Sequence, residues 1–343
     1  MSNGPAINFP YPEAPAPGEA IEVAQGIYWL RMPLPFALDH INLWALEEQN
    51  CWTLVDTGYG INTTLDLWTQ HFSRLLANKP VRRIIVTHYH PDHIGCADWL
   101  VQKTSAELWM SETEFLTAHM VRNEYGPYSI SLAQAHFSRH GLASEQLIAQ
   151  VTRSQTYITG VPSVPLRFNR LQDNDCMIIN ENEWRITTTY GHSPEHLTLY
   201  CSALGILISG DQILPKITTN VGVWASQPHA NPLKLFLESL DKFTSLPTET
   251  TVLPSHGPVF IGIHERIRQL KEHHQKRLNE LVAGLHQPHT AAELLPILFR
   301  RNLDDHQLTF AMGEIIAHLN FLVAEDKAQR LESSEGVIQY VAT

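Results

Sequence analysis

Thr87-His88-Tyr89-His90-Pro91-Asp92-His93 puts three histidines and an aspartate into six consecutive residues, directly after the β-branched run 81–86. Imidazole and carboxylate suit zinc and other borderline divalent ions. On an extended segment His88 and His90 point the same way, because side-chain direction repeats every second residue. A turn at Pro91 lets Asp92 and His93 face a second point a few ångströms away. One short loop can therefore serve two metals. A chain with 19 histidines will also cluster some by chance, so the loop has to be read with the rest of the chain.

Strand-like stretches precede it at 27–32, 41–46 and 51–55, the last running into Asp56-Thr57-Gly58. A helix is expected over 63–76, with Leu65, Trp68, Phe72 and Leu75 at helical spacing, and another from about 94 to 101. Beyond a strand at 105–110 the pattern turns helical over 111–153, an insertion that packs on itself, forms a lid over the histidine loop, or does both. Strands resume at 166–168, 176–179 and 184–189, followed by Gly191-His192-Ser193-Pro194-Glu195-His196. Two more, at 197–201 and 205–209, lead to Asp211. A helix over 233–245 and a strand at 251–253 lead to Pro254-Ser255-His256. Asp56, the 88–93 loop, His192, Asp211 and His256 thus all fall where a strand gives way to a loop, and in α/β folds sites collect at such edges.

From 264 the composition changes. A charged amphipathic helix to about 285, helices over 291–299 and 308–324, and a terminal hairpin (328–331 and 337–341) make a winged-helix pattern. The five prolines in residues 1–20 predict an extended or mobile arm. No run approaches the apolar length that spans a bilayer, and the N-terminus lacks a secretory pattern. Cys51, Cys96, Cys176 and Cys201 are scattered and read as free thiols, which fits a reducing, cytoplasmic setting. A formal charge of −11 argues against a nucleic-acid backbone as partner.

The HxHxDH loop, followed in order by a His, an Asp and a His, resembles the metallo-β-lactamase superfamily over about residues 22–262. The resemblance implies an αββα sandwich of α/β class (22–262) behind an N-terminal arm (1–21). The tail, 263–343, is similar to the small winged-helix domain of one branch, whose members include an endoribonuclease. The core looks closest to glyoxalase II-like thioesterases. Cys96 stands where a glycine often follows the motif, and a small thiol should be tolerated there.

The resemblance further implies that His88, His90 and His192 hold one metal, that Asp92, His93 and His256 hold a second, and that Asp211 bridges them. Asp56 would orient the loop from behind. Asp92 would also handle the proton in catalysis, and two divalent ions, zinc first with iron or manganese as alternatives, would generate the attacking hydroxide. His196 either approaches the site or is structural, and His40 and His229 are equally open. His273, His274, His286 and His289 are expected to be solvated, and Ser193 and Ser255 to be turn residues. The expected activity is hydrolysis of a small acyl thioester or ester. A lactonase, an endoribonuclease and a non-enzymatic sensor are the alternatives. A small-molecule substrate, no membrane and a possible homodimer complete the expectation.

Overall fold

The computed structural model describes residues 6–36, 38–145, 147, 155–300 and 302–343. Its first sheet runs β1 (Ala20–Ala24), β2 (Ile27–Pro33), β3 (His40–Glu47), β4 (Trp52–Val55), β5 (Val81–Ile85), β6 (Glu107–Met110) and β7 (Asn169–Arg170) in that spatial order. The pairings from β1 to β4 are antiparallel and those from β4 to β7 parallel. The second sheet runs β13 (Phe260–Ile261), β12 (Thr251–Pro254), β11 (Ile206–Gly210), β10 (His196–Cys201), β9 (Asn182–Thr189) and β8 (Cys176–Ile179).

Strand alternation explains why the sheets stack. Ile27, Trp29, Trp44 and Leu46 face inward and meet Trp184, Ile186, Leu197, Leu199 and Ile208 of the second sheet. Their neighbours Leu30, Met32, Ile41 and Leu43 face the other way, onto Leu67 and Trp68 of α1 (Asn62–Ser73) and Leu100 of α3 (Ala97–Thr104). The outer face of the second sheet is covered by α7 (Pro232–Asp241) and α8 (Ile263–Gly284) through Phe236, Leu240, Ile267 and Leu270. Each such side chain stabilises the fold by about 1.5–3 kcal/mol on burial. The layers are helix, sheet, sheet, helix, the αββα sandwich expected.

The insertion holds α4 (Glu112–Arg122), α5 (Ile130–Arg139) and a helical segment over 155–160 (α6). Part of the helical stretch expected here, including Ile148, lies outside the described residues. The strand expected at 166–168 forms instead at Asn169–Arg170. Pro162 and Pro165, which lack an N–H for the ladder, precede it, and Leu166 is exposed.

Three helices, α8, α9 (Ala291–Leu298) and α10 (Asp305–Ala324), and the hairpin β14 (Ala328–Glu332)–β15 (Ile338–Ala342) make up the tail. They share one apolar core with α7, β11, β12 and Phe137 of the insertion. The sequence-based statement about bilayer-spanning runs needs correction here. Gln307–Ala324 is long and apolar enough to cross a membrane by length and composition. Its Met312, Ile315, Ile316 and Leu319 are fully buried in this core, which accounts for that composition. His274 is also not solvated: it is buried against Phe236, with Nδ1 3.2 Å from Nε2 of His318. The described part of the arm is docked, as Asn8 pairs with Ile261 and the Tyr11 hydroxyl donates to the Val23 carbonyl at 2.7 Å.

Candidate metal centre

β5 hands the chain to an extended segment that ends at His90 (φ −61°, ψ 149°), after which Pro91 opens the one-turn helix α2 (Pro91–Ile94). Proline fits this first helical position because its missing N–H would be unpaired there anyway. The turn splits the loop. His88 and His90 join His192 and Asp211 in one group, while Asp92 and His93 join His256 in another. Within each group the ligand-type atoms lie within 4.8 Å of one another.

Asp211 stands between the groups. Its Oδ2 is 3.3 Å from His192 Nε2 and 3.6 Å from His93 Nε2, and its Oδ1 is 3.4 Å from His256 Nε2. Asp92 Oδ2 is 3.3 Å from His256 Nε2 and 3.6 Å from His93 Nε2. Ligands about 2.0–2.2 Å from a tetrahedral ion are separated by roughly 3.3–3.6 Å from one another. The donor set therefore fits divalent metal. His93 Nε2 and Asp211 Oδ1 are buried without a hydrogen-bond partner among the described residues, as atoms reserved for an ion would be.

What lies behind the cluster sets the ring tautomers. His93 Nδ1 is 2.8 Å from Asp56 Oδ2, His192 Nδ1 2.8 Å from the Asn220 carbonyl, and His256 Nδ1 2.8 Å from the His40 carbonyl. Each Nδ1–H donates outward, so each Nε2 lone pair faces the cluster. Asp56 also accepts from the Thr87 backbone N–H and hydroxyl at 2.8 and 2.9 Å. It reaches them from a left-handed backbone (φ 61°) that Asp tolerates better than most residues. Burial, and then the neighbouring rings, hold His88 and His90 well below the usual imidazole range. Burial opposes ionisation of Asp211, but His256 and His93 outweigh it and carry the carboxyl well below its usual range. Neutral imidazoles and an ionised carboxylate are the forms that bind metal.

Other residues resolve as supports. His196 accepts from the Asp211 N–H at 3.1 Å through Nε2, which fixes the Asp211 loop from below. A Cβ at Gly210 (φ +53°) would lie 2.4 Å from that ring atom, so only glycine fits there. His40 accepts from the Gly257 N–H at 3.2 Å. His229 lies beside Arg330 of the hairpin. Cys96 is buried, with its sulfur 3.5 Å from the Tyr59 carbonyl, as a packing residue.

Sequence reasoning missed Glu114. It is fully buried, and Oε2 accepts from the Tyr89 N–H at 3.0 Å. Oε1 accepts from the Ser193 hydroxyl at 2.7 Å and the Glu195 N–H at 2.6 Å. One carboxyl thus ties the 88–93 loop to the 192–196 loop, and Ser193, in the bend where a turn residue was expected, is one of its partners. Burial pushes the Glu114 pKa up to about 7 against the pull of these donors. Its only trace in the sequence is Ser111-x-x-Glu114, where Ser111 caps α4. That pattern predicts a helix start and says nothing of burial.

A cavity of about 1100 Å³ opens onto the cluster, with His90, Asp92, His192, Asp211 and His256 at its floor. Its walls come from four separate places: the loop between β2 and β3 (Leu34, Phe36, Leu38), the insertion (Tyr128, Ile130, Phe137), the loop bearing Trp224, and α10 (Gln307, Phe310). Trp224 packs edge-on to Phe310, with ring centroids 6.2 Å apart. The insertion and the tail together close the pocket.

Known proteins bear on this site directly. Residues 37–256 match the family model described as "Metallo-beta-lactamase superfamily", and residues 278–343 match "Metallo-beta-lactamase-like, C-terminal domain". The chain belongs to the metallo-β-lactamase superfamily. Its structure is similar to that of a beta-lactamase domain protein from Burkholderia ambifaria, with 43% identity, 98% of each chain covered and a TM-score of 0.91. In sequence it is similar to the probable metallo-hydrolase YqjP of Bacillus subtilis (strain 168), with 22% identity over 312 residues, 87% of this chain and 92% of that one. A shorter likeness, 26% identity over 139 residues, relates it to a hydroxyacylglutathione hydrolase of Prochlorococcus marinus (strain NATL1A). That match covers 36% of this chain and 53% of the relative. The chain is a metal-dependent hydrolase.

Proposed function

We propose that this protein hydrolyses a small acyl ester or thioester with two divalent metal ions, held by His88, His90 and His192 on one side, Asp92, His93 and His256 on the other, and Asp211 between. The observation that carries this reading is the seven-residue cluster at the floor of a large, mostly apolar cavity. When bound, such a metal pair acidifies a water toward neutrality and polarises the substrate carbonyl oxygen. The cavity walls hold the acyl part and keep bulk water off it. Asp92, whose Oδ2 lies beside His256 and His93, would orient the attacking water and carry its proton to the departing alkoxide or thiolate. Ester, thioester and lactone present the same carbonyl, so a lactone is a variant of this reading rather than a rival. An RNA substrate has no support in the acidic charge of the chain.

The remaining proposals are that the metal is zinc, that the protein works in the reducing cytoplasm, and that residues 263–343 form a winged-helix-like unit whose role is to complete the pocket. A hydrolysis screen of metal-loaded protein against acyl esters, thioesters, lactones and single-stranded RNA, before and after chelation, tests the function. Cleavage of esters that chelation abolishes is expected. Cleavage of RNA alone, or turnover indifferent to chelation, refutes it.

A further inference from the structure

We infer that Arg266 is a positioning residue for the metal centre, through which the tail sets the geometry of Asp211 and His192; this rests on the metal-centre reading above. The observation that carries it is a closed loop. Thr219 Oγ1 donates to the Asp211 carbonyl at 2.5 Å, so the segment 211–219 returns on itself. The carboxylate that stands between the two ligand groups is on its first residue. Just past its last residue, the Asn220 carbonyl accepts the Nδ1–H of His192 at 2.8 Å. A displacement of this loop therefore moves one ligand and frees the ring of another to change tautomer or rotate.

Arg266 reaches the middle of that loop from α8. It is 6% exposed, so its contacts are shielded from competing water. Nε donates to the Leu214 carbonyl at 2.5 Å and Nη2 to the Ile217 carbonyl at 2.6 Å. Nη1 donates to Gln269 Oε1 at 3.1 Å, one turn along the same helix, and this fixes the guanidinium plane. A planar fork whose donors point in set directions holds two carbonyls at one spacing, which a single ammonium does not. Beyond Asn220 the same stretch of chain is fastened to α10. The Val223 N–H donates to the Gly313 carbonyl at 3.0 Å, and Asn320 Nδ2 donates to the carbonyls of Pro228 and Ala230 at 3.1 and 2.9 Å. Both sides of Asn220 are thus tied to the tail. The catalytic sheet keeps its own hold at the near end, where Ser209 Oγ donates to the Ile213 carbonyl at 2.9 Å. Losing Arg266 should therefore loosen the loop without unfolding it. Partners that orient metal ligands typically contribute 10–100-fold to affinity. Arg266 acts one step further back and belongs at the low end of that range.

The test uses full-length protein stripped of metal and titrated with zinc against a chromophoric chelator, with urea unfolding measured alongside. Arg266→Met keeps the apolar stem and loses the donors, and it should weaken zinc binding by about tenfold. Leu278→Ala is the comparison. It lies about three turns further along α8, buried in the tail's apolar core. Its cavity should lower the urea midpoint and leave zinc affinity unchanged. Zinc bound by Arg266→Met as tightly as by the wild type overturns the inference. An equal loss of affinity in Leu278→Ala overturns it too, since general loosening of the tail would then suffice. Should Arg266→Met not fold, Arg266→Lys decides by the same measure: a loss of about threefold is expected, and wild-type affinity overturns the inference. Wild-type protein that binds zinc but cleaves no ester sinks the hydrolase reading, while a zinc loss confined to the Arg266 variants still upholds the inference. Wild-type protein that binds no zinc overturns both.

Discussion

Asp56→Asn isolates one hydrogen bond behind the metal cluster. The substitution is close to isosteric, and asparagine accepts the left-handed backbone (φ 61°) as readily as aspartate, so the backbone has no reason to move. The amide has two orientations, and each fails somewhere. With its NH2 toward His93, the imidazole Nδ1 must become an acceptor, which moves the ring proton to Nε2. That nitrogen, 3.6 Å from both Asp92 and Asp211, then has no lone pair for a metal. With the amide flipped, its NH2 faces the Thr87 N–H that now donates to Oδ1 at 2.8 Å. Leaving such buried donors unmatched costs about 1–3 kcal/mol. Either route lowers affinity for the metal that His93 would hold by about 10–100-fold, the range for partners that orient ligands. Competition with a chromophoric chelator measures this, and the far-ultraviolet circular dichroism spectrum should not change. An Asp56→Asn protein that holds metal as tightly as the wild type would refute the tautomer reasoning.

Other consequences can be checked in parallel. His192→Ala and Asp211→Ala should lose bound metal and hydrolytic activity together, read by elemental analysis beside turnover; full activity in either variant contradicts the ligand assignment. Glu114→Ala orphans three buried donors and should destabilise by roughly 2–4 kcal/mol, seen as an earlier urea midpoint. Acid should weaken the fold through its buried neutral histidines. Burial depresses His71, His136 and His318 to about 4 and His140 to about 3. Their folded pKa values lie below the unfolded value near ~6.5, so their contribution is complete above that pH and is lost as pH falls toward about 4. Urea midpoints should drop steeply across that window. His140→Leu should flatten the drop, since neither ring nitrogen of His140 has a hydrogen-bond partner among the described residues.

The metal cluster was legible in the sequence because its chemistry is local or punctuated. HxHxDH is contiguous, and His192, Asp211 and His256 each follow a strand whose β-branched run marks where it ends. The αββα layering was legible for a related reason: Trp29 and Trp44 alternate with Leu30 and Leu43 along half-buried strands, so period-two patterning shows on both faces. What could not be read is whatever depends on which distant surfaces meet. Glu114 looks like a helix-start residue, and only the approach of two ligand loops from opposite sides makes it a buried clamp. His274 carries a helical period consistent with either face, and its burial was settled by Phe236 and His318 from two other helices. The same holds for the pocket. Phe137 and Phe310 are 173 positions apart by subtraction of their residue numbers, and each reads alone as an ordinary apolar helix residue. They become walls of one cavity because the insertion and the tail share a core with the second sheet. Motifs at strand ends therefore announce the chemistry, while the cavity over it is walled by helices packed together from the middle and the end of the chain.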